Sequence, residues 1–306
     1  VGEKEVKLPK TAEGWAIHLS KLVKVLQDVH GLARFPIRVA DIAREYSHNV
    51  FPDAPISLVE GRSLGAKFEG ALIPRPNGSG EWGIFYNSAI RSPGRINFTL
   101  GHELGHYLLH RQLSADPIYC AKSDMWLWDS EYGKMEAEAN QFASFLLMPL
   151  DDFRHQVRGI SRPCLRDFDP IRRRYDVSLT AAVLKWLSIT DQRAMIVKSR
   201  DGFIDWSWSS RPLLRSGIFF RAKQQVIAVP EESLVSRKLD PAISAKGEML
   251  KAGIWAEDED VFESVVQSDH HDMAISLLIY PKYSPHSLRD THDDEVTEDA
   301  FDRFTR

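Results

Sequence analysis

Cysteine is scarce in this chain: Cys120 and Cys164 are the only two among 306 residues. Two thiols cannot staple a fold of this size, so a disulfide scaffold is excluded and the composition suits a reducing compartment. Long apolar runs are missing too, since no stretch approaches the roughly 18 residues that a membrane-spanning helix needs. The opening residues, Val1-Gly2-Glu3-Lys4-Glu5-Val6-Lys7, are charged and contain no apolar signal core, so the expected location is the cytoplasm, with no membrane partner. Positive charge is not in excess: 39 Lys and Arg stand against 43 Asp and Glu, a net charge of −4. That balance speaks against nucleic acid as the main partner. The last residues, from Ser284, hold seven acids and three arginines and carry the whole net charge, so they read as an acidic disordered tail over 284–306. Internal repeats are absent. What remains is an ordinary globular composition, 43% hydrophobic and 27% charged, in a chain long enough for two cores.

The informative stretch is Phe98-Thr99-Leu100-Gly101-His102-Glu103-Leu104-Gly105-His106-Tyr107-Leu108-Leu109-His110. Ser92-Pro93 before it reads as a helix start, a capping hydroxyl followed by proline at the first helical position. On a helix, His102 and His106 are one turn and about 40° apart, so both imidazoles leave one face and can grip one Zn²⁺. Glu103 lies about 100° round, placed to act on a water without being a ligand. The surroundings are apolar, and a buried His-Glu-His group needs a reason to be tolerated, which a metal supplies. The alternative is a plain helix with two exposed histidines and a surface glutamate.

A zinc hydrolase commonly takes a third protein ligand and leaves the fourth position open. A further histidine in metzincin spacing is ruled out, because Gln112 occupies that position. The segment Met135-Glu136-Ala137-Glu138-Ala139-Asn140-Gln141-Phe142-Ala143 reads as a second helix. Glu136 shares a stripe with Ala139, Asn140, Ala143 and Leu147, and the small residues on that stripe allow close helix approach, so Glu136 is the expected ligand. Glu138 points about 200° away and is the runner-up. Asp116 and Asp129 are weaker candidates. His110 continues the His102/His106 stripe and is a candidate for support of a ligand or of an oxyanion, as is Tyr107 with less reason. The bland alternative for His110 is a helix-end histidine at the C-terminal dipole. Cys120, between the two motifs, reads as an inert buried thiol in preference to a redox or metal switch.

Together, Arg95-x-Asn97-Phe98-Thr99-Leu100-Gly101-His102-Glu103-Leu104-Gly105-His106 and Glu136-x-Glu138-Ala139-Asn140-x-Phe142-Ala143-x-x-Leu146-Leu147-Met148-Pro149 resemble the ImmA/IrrE family of metallo-endopeptidases. The resemblance covers roughly Ala66 to Pro149 well, and the stretch to about Leu187 more loosely. It implies zinc held by His102, His106 and Glu136, with Glu103 as general base toward a metal-activated water. Mn²⁺ is the other metal open to such a site in the cell. It also implies a protein substrate, a cytoplasmic helix-turn-helix transcriptional repressor, and hence a role in stress response and transcription regulation. Two other readings stay open: a non-catalytic, metal-stabilised module that sequesters a regulatory protein, and, more weakly, a DNA-binding regulator on a vestigial protease fold.

The expected architecture is α+β. A mainly helical zincin-like domain with a small β-hairpin or sheet spans 1–160, with helices over Ala12–His30, Val39–Tyr46 and, after Pro149, Asp151–Val157. Within it, Phe68–Ile73 and Trp82–Tyr86 read as two strands joined through 74–81, whose antiparallel edge beside the zinc helix could accept an extended peptide as a further strand. A helix-turn-helix-like segment spans 161–192, with a break at Asp176-Val177, Ser178 as N-cap and Arg172-Arg173-Arg174 alongside; direct DNA binding is not expected of it. From 193 to 283 the texture becomes α+β, with strands expected at Ala194–Val197, Ile204–Trp208, Val226–Val229, Glu248–Trp255 and Met273–Tyr280, and a helix at Val261–Val266. The resemblance implies a GAF-like sensor or interaction domain here, with a different β-rich module as the alternative. Trp206, Trp208, Phe219 and Phe220 are core aromatics by default, with a ligand pocket as the alternative. Asp269-His270-His271-Asp272 reads as a solvated turn, although its side chains can bind metal.

Overall fold

A computed structural model describes residues 8–31, 33–76, 78–113, 118–121, 131–237, 239–268 and 273–282. The acidic tail, Asp116, Asp129 and the 269–272 run lie outside them. The fold is α+β, and its contacts divide it into two units. Among the described residues, one comprises those up to His155 together with Arg174–Val177; the other comprises Gln156–Arg173 and those from Ser178 on.

The first unit opens with α1 (Ala12–His30). Thr11 caps it by accepting from the Gly14 N–H, and Gly31, left-handed at φ 68°, ends it by donating to the Gln27 carbonyl. Trp15, Ala16 and Leu19 are buried, but the apolar stripe runs on into Leu22, Leu26 and Val29, which are exposed. Periodicity alone does not show that burial stops halfway along the helix. The second helix, α2 (Val39–Val50), runs one turn longer than expected.

A four-stranded sheet follows, made of β1 (Ile56–Arg62), β2 (Phe68–Pro74), β3 (Trp82–Asn87) and β4 (Ile118–Ala121), in the order β1-β3-β2-β4. The expected β2–β3 pair is present and antiparallel. Neither strand is an edge, however: β1 pairs with β3 in parallel, and β4 covers the other side of β2. The peptide-accepting edge expected on this hairpin is therefore corrected. Ile56–Arg62 had no alternating signal strong enough to announce a strand, and its pairing with β3 is non-local.

Helix α3 (Pro93–His110) starts as expected, with Pro93 at its first position and Ser92 accepting from the Arg95 N–H. It packs on β2, β3 and α2, and most closely on α4 (Glu131–Leu147). Gly101 faces Ala143, and Gly105 faces Ala139, so the two helices run antiparallel. A Cβ on Gly105 would sit 3.1 Å from Ala139 Cα, and one on Gly101 would sit 3.3 Å from Ala143 Cβ. This small-residue seam brings the two backbones close enough to share a ligand. Helix α5 (Leu150–Gln156) completes the helical part. Asp152 accepts from both Arg174 and the hydroxyl of the fully buried Tyr175, whose ring meets Phe35 edge-on.

Helices α6 (Phe168–Tyr175) and α7 (Leu179–Leu187) form the expected pair, with Asp176 left-handed between them and Ser178 capping α7 through the Ala181 N–H. The arginines beside the turn are engaged: Arg172 and Arg173 pair with Asp169, and Arg174 with Asp152.

The second unit is built on five antiparallel strands, β5 (Ala194–Arg200), β6 (Phe203–Ser209), β7 (Glu248–Leu250), β8 (Val261–Ser268) and β9 (Met273–Ile279), in the order β6-β5-β9-β8-β7. The helix expected at Val261–Val266 is corrected to β8. Val-Phe-Glu-Ser-Val-Val is rich in β-branched residues, and this segment lies between β7 and β9 with both faces buried, so it lacks the polar alternation of a half-exposed strand. The 226–229 run makes only a single bridge, Ala228 to Phe203, and the strand expected over 248–255 ends at Leu250. Short helices α8 (Arg211–Arg215), α9 (Leu234–Arg237) and α10 (Pro241–Lys246) were not legible from pattern. Met195, Val197, Leu213, Trp255, Leu278 and Tyr280 form the core of this unit. Phe220 packs against that core, with its ring 5.8 Å from that of Trp255. Trp206 and Trp208 are half-buried, and Phe219 is exposed.

Candidate metal centre

The spacing of His102 and His106 on α3 brings their Nε2 atoms to 3.0 Å from each other. Glu136 reaches across from α4 and offers one oxygen to each, at 3.2 Å from His102 Nε2 and 3.1 Å from His106 Nε2. All three residues are buried, and their ligand atoms lie within 4.8 Å of one another.

The outer nitrogens are also held. His102 Nδ1 is 3.0 Å from Asn140 Oδ1, and His106 Nδ1 is 3.0 Å from His110 Nδ1. With Asn140 presenting its carbonyl, His102 carries its proton on Nδ1, and its Nε2 is a bare lone pair. If His106 Nδ1 donates to His110, its Nε2 is bare as well. Two lone pairs and a carboxylate then converge with no proton between them. Glu136 Oε1 is buried and receives no hydrogen bond. Separations of 3.0–3.2 Å also come close to the roughly 3.3 Å between donors on a tetrahedron with 2.0–2.1 Å bonds. The group therefore fits a divalent metal, and Zn²⁺ by donor chemistry, because two imidazoles and one carboxylate suit it.

The electrostatics distinguish the two imidazoles. Burial works against charge on His102, but Glu136, with help from Glu103 and Asn140, more than offsets it and holds that imidazole above its ordinary value. On His106 burial wins and pushes the value down to about 4, with His102 and His110 adding to the fall. Burial also lowers His110, only partly opposed by Glu138. Glu136 resists its burial because the two imidazoles beside it hold the carboxyl well below the usual range. A proton on the cluster therefore belongs on His102, and His106 stays neutral as a ligand must.

Glu103 is fully buried beside this group, and its charge is felt by His102. β2 crosses directly over it. A Cβ on Gly70 would stand 2.6 Å from Thr99 Cγ2, 3.0 Å from the Glu103 carboxyl carbon and nearer still to Oε1. Gly70 pairs with Tyr86 of β3 on one side and with Cys120 of β4 on the other.

The remaining candidates separate. His110 is buried against His106, and its Nε2 is 2.9 Å from Glu138 Oε2. Glu138 is thus not among the clustered donors; it holds His110 instead. Tyr107 turns away from the cluster. Its hydroxyl donates to the Ala54 carbonyl at 2.7 Å, its ring packs between Phe51 and Trp82, and burial pushes its pKa up to about 12. Cys164 is half-buried, and burial raises its thiol. Sequence reasoning missed Asn140 and Gly70. Asn140 had a signal, one turn after Glu136 on the same face, and was read only as a small residue. Gly70 had none, since its role depends on which strand crosses α3.

No curated protein matches this chain. Residues 66–187, which contain His102, Glu103, His106 and Glu136, match the IrrE N-terminal-like domain of the Peptidase M78 family, and this match, together with the His-His-Glu group, supports a metallopeptidase in general.

Proposed function

We propose that the protein is a zinc-dependent endopeptidase that cleaves a cytoplasmic helix-turn-helix transcriptional repressor. The observation that carries the peptidase reading is the convergence of two imidazoles and a carboxylate, all buried, next to a buried glutamate that is not one of them. A purely structural site has no use for that fourth group. His102, His106 and Glu136 would hold the metal, which when bound polarises a scissile carbonyl and lowers the pKa of a water toward about 7. Asn140 and His110 orient the two imidazoles through their outer nitrogens. Glu103 holds the proton taken from the attacking water on its carboxylate and returns it to the departing amine nitrogen. Burial of Glu103 keeps bulk water from competing for that proton. The repressor as substrate rests on the family resemblance. The second unit is read as a GAF-like sensor, supported by an antiparallel sheet whose first and last strands lie side by side at its centre.

The test is to mix the full chain with candidate helix-turn-helix repressors, sought first among the genes adjoining its own, under Zn²⁺, Mn²⁺ or chelator, and to read fragments by mass spectrometry. The expected result is a discrete, metal-dependent cut that Glu103→Gln abolishes while metal binding survives. An intact partner that stays stably bound under every metal would replace the peptidase with the sequestering module.

A further inference from the structure

We propose that the hollow at the C-terminal end of α3 is a binding site for a small organic carboxylate with an apolar body, held by Arg111. None of its lining residues belongs to the His102, His106 and Glu136 group, so the site needs no metal and does not rest on the peptidase reading. Two hollows of about 330 and 370 Å³ meet here, and Phe51, Arg111 and Gln112 line both. The first also has Val50, Asp53, Ala54 and Trp82 in its wall, and the second has Trp15 and Leu108. The lining is therefore mostly apolar and aromatic, with a cation at the junction.

That cation is held in one orientation. The Arg111 guanidinium lies over the Phe51 ring at 4.0 Å and over the Tyr107 ring at 4.7 Å. Its Nη1 donates to the Tyr107 carbonyl at 2.9 Å and, more weakly, to the Leu108 carbonyl at 3.5 Å, as a basic side chain at a helix C-terminus commonly does. Capping α3 in this way occupies one nitrogen. Nε and Nη2 form the other edge of the plane, with two parallel N–H groups that match the two oxygens of a carboxylate. Among the described residues nothing accepts from that edge. Burial works against the charge of Arg111, so an anion brought to the open edge is favoured.

The walls are fixed before any ligand arrives. The turn at 51–54 closes on itself, the Ala54 N–H donating to the Phe51 carbonyl at 2.9 Å. It hangs from α2 through the Phe51 N–H on the Ser47 carbonyl at 2.8 Å, and from α3 through the Tyr107 hydroxyl on the Ala54 carbonyl at 2.7 Å. The Trp82 N–H donates to the Pro55 carbonyl at 2.8 Å, which holds β3 against the same turn. A rigid apolar wall beside one oriented pair of donors loses little freedom on binding. Asp53, exposed on that wall, narrows the class: its charge opposes a phosphate dianion, whereas it can take the ammonium of a free amino acid. The carboxylate can come from a free amino acid or from the C-terminal end of a peptide, and the test separates the two.

The experiment titrates the full chain, under chelator so that no metal can hold the probe, with N-acetyl-phenylalanine, its uncharged amide, phenylalanine and inorganic phosphate, and reads binding by ligand-observed NMR. We expect N-acetyl-phenylalanine to bind at least about tenfold more tightly than its amide, because the amide cannot take two charge-assisted hydrogen bonds. Arg111→Met, with its fold checked by circular dichroism, should abolish that preference. If that variant does not fold, Arg111→Lys carries the test, since an ammonium keeps the charge and lacks the two-point edge. Phenylalanine binding more tightly than its acetylated form, with the advantage lost in Asp53→Asn, would identify a free amino acid as the source; no such advantage would identify the peptide end. Three results would overturn the proposal: no binding or equal binding of acid and amide by the unaltered chain, phosphate binding as tightly as the acid, or a full carboxylate preference in the folded Arg111 variant.

Discussion

Gly70→Ala is the sharpest perturbation the structure offers, because it adds one methyl group where β2 crosses the glutamate and touches none of the clustered donors. The new Cβ would lie 2.6 Å from Thr99 Cγ2 and 3.0 Å from the Glu103 carboxyl carbon, where ordinary carbon contacts are about 3.5–4.0 Å. Thr99 and Glu103 sit one turn apart on α3, so the methyl meets both and cannot be accommodated by turning one side chain. β2 is also clamped between β3 and β4 at this residue, which limits how far it can retreat. Relief therefore requires a displacement of about 1 Å, borne largely by the Glu103 carboxylate. Overpacking of this kind costs about 1–3 kcal/mol of stability. A misplacement of about 1 Å in a catalytic group costs up to about 100-fold in rate. His102, His106 and Glu136 stand on α3 and α4, away from the added atom, so metal affinity should hold. The assay compares cleavage rate with Zn²⁺ affinity in the same preparations. Gly70→Ala should be roughly two orders of magnitude slower at unchanged affinity. Wild-type turnover in a folded Gly70→Ala chain would refute the idea that β2 fixes the base, and a parallel loss of metal would show that the methyl acts through the donors instead.

Two further predictions concern the second unit. Arg193 and Glu259 form a buried two-point ion pair at 2.7 and 3.0 Å. Glu259→Ala strands the guanidinium and should cost about 3–5 kcal/mol in denaturant unfolding of this unit, with zinc affinity untouched; a loss below about 1 kcal/mol would contradict a dry, coupled pair. Glu263, fully buried on β8, has its pKa raised by burial, against the hydrogen bonds it accepts from the Leu234 N–H and the Ser276 hydroxyl. Because the folded value is above the unfolded one, the stabilisation is complete below the ordinary glutamate range and is lost as pH rises through the raised value. Thermal stability of the unaltered chain should fall relative to Glu263→Gln across that rise, and parallel profiles would sink the assignment.

The sequence by itself determined whatever is written into one helix. His102 and His106 share a face because four residues make about one turn, Ser92-Pro93 starts α3 by local capping chemistry, and the Glu136, Ala139, Ala143 stripe shows which side of α4 can come close to a partner. These features need no knowledge of the rest of the chain. The α+β texture was legible on the same terms, as a change from helical to alternating periodicity near Arg193. Only the tertiary structure decided the rest, because each remaining feature joins residues whose proximity no local period encodes. β1 and β4 convert the expected β2–β3 edge into a sheet interior. β8 reads ambiguously because burial on both faces removes the alternation that identifies a strand. Glu138 faces outward by helical angle, yet it meets His110 because two antiparallel helices slide small residues past each other. Gly70 is an unremarkable glycine in the sequence, and its meaning comes from lying across Glu103, where there is no room for a side chain.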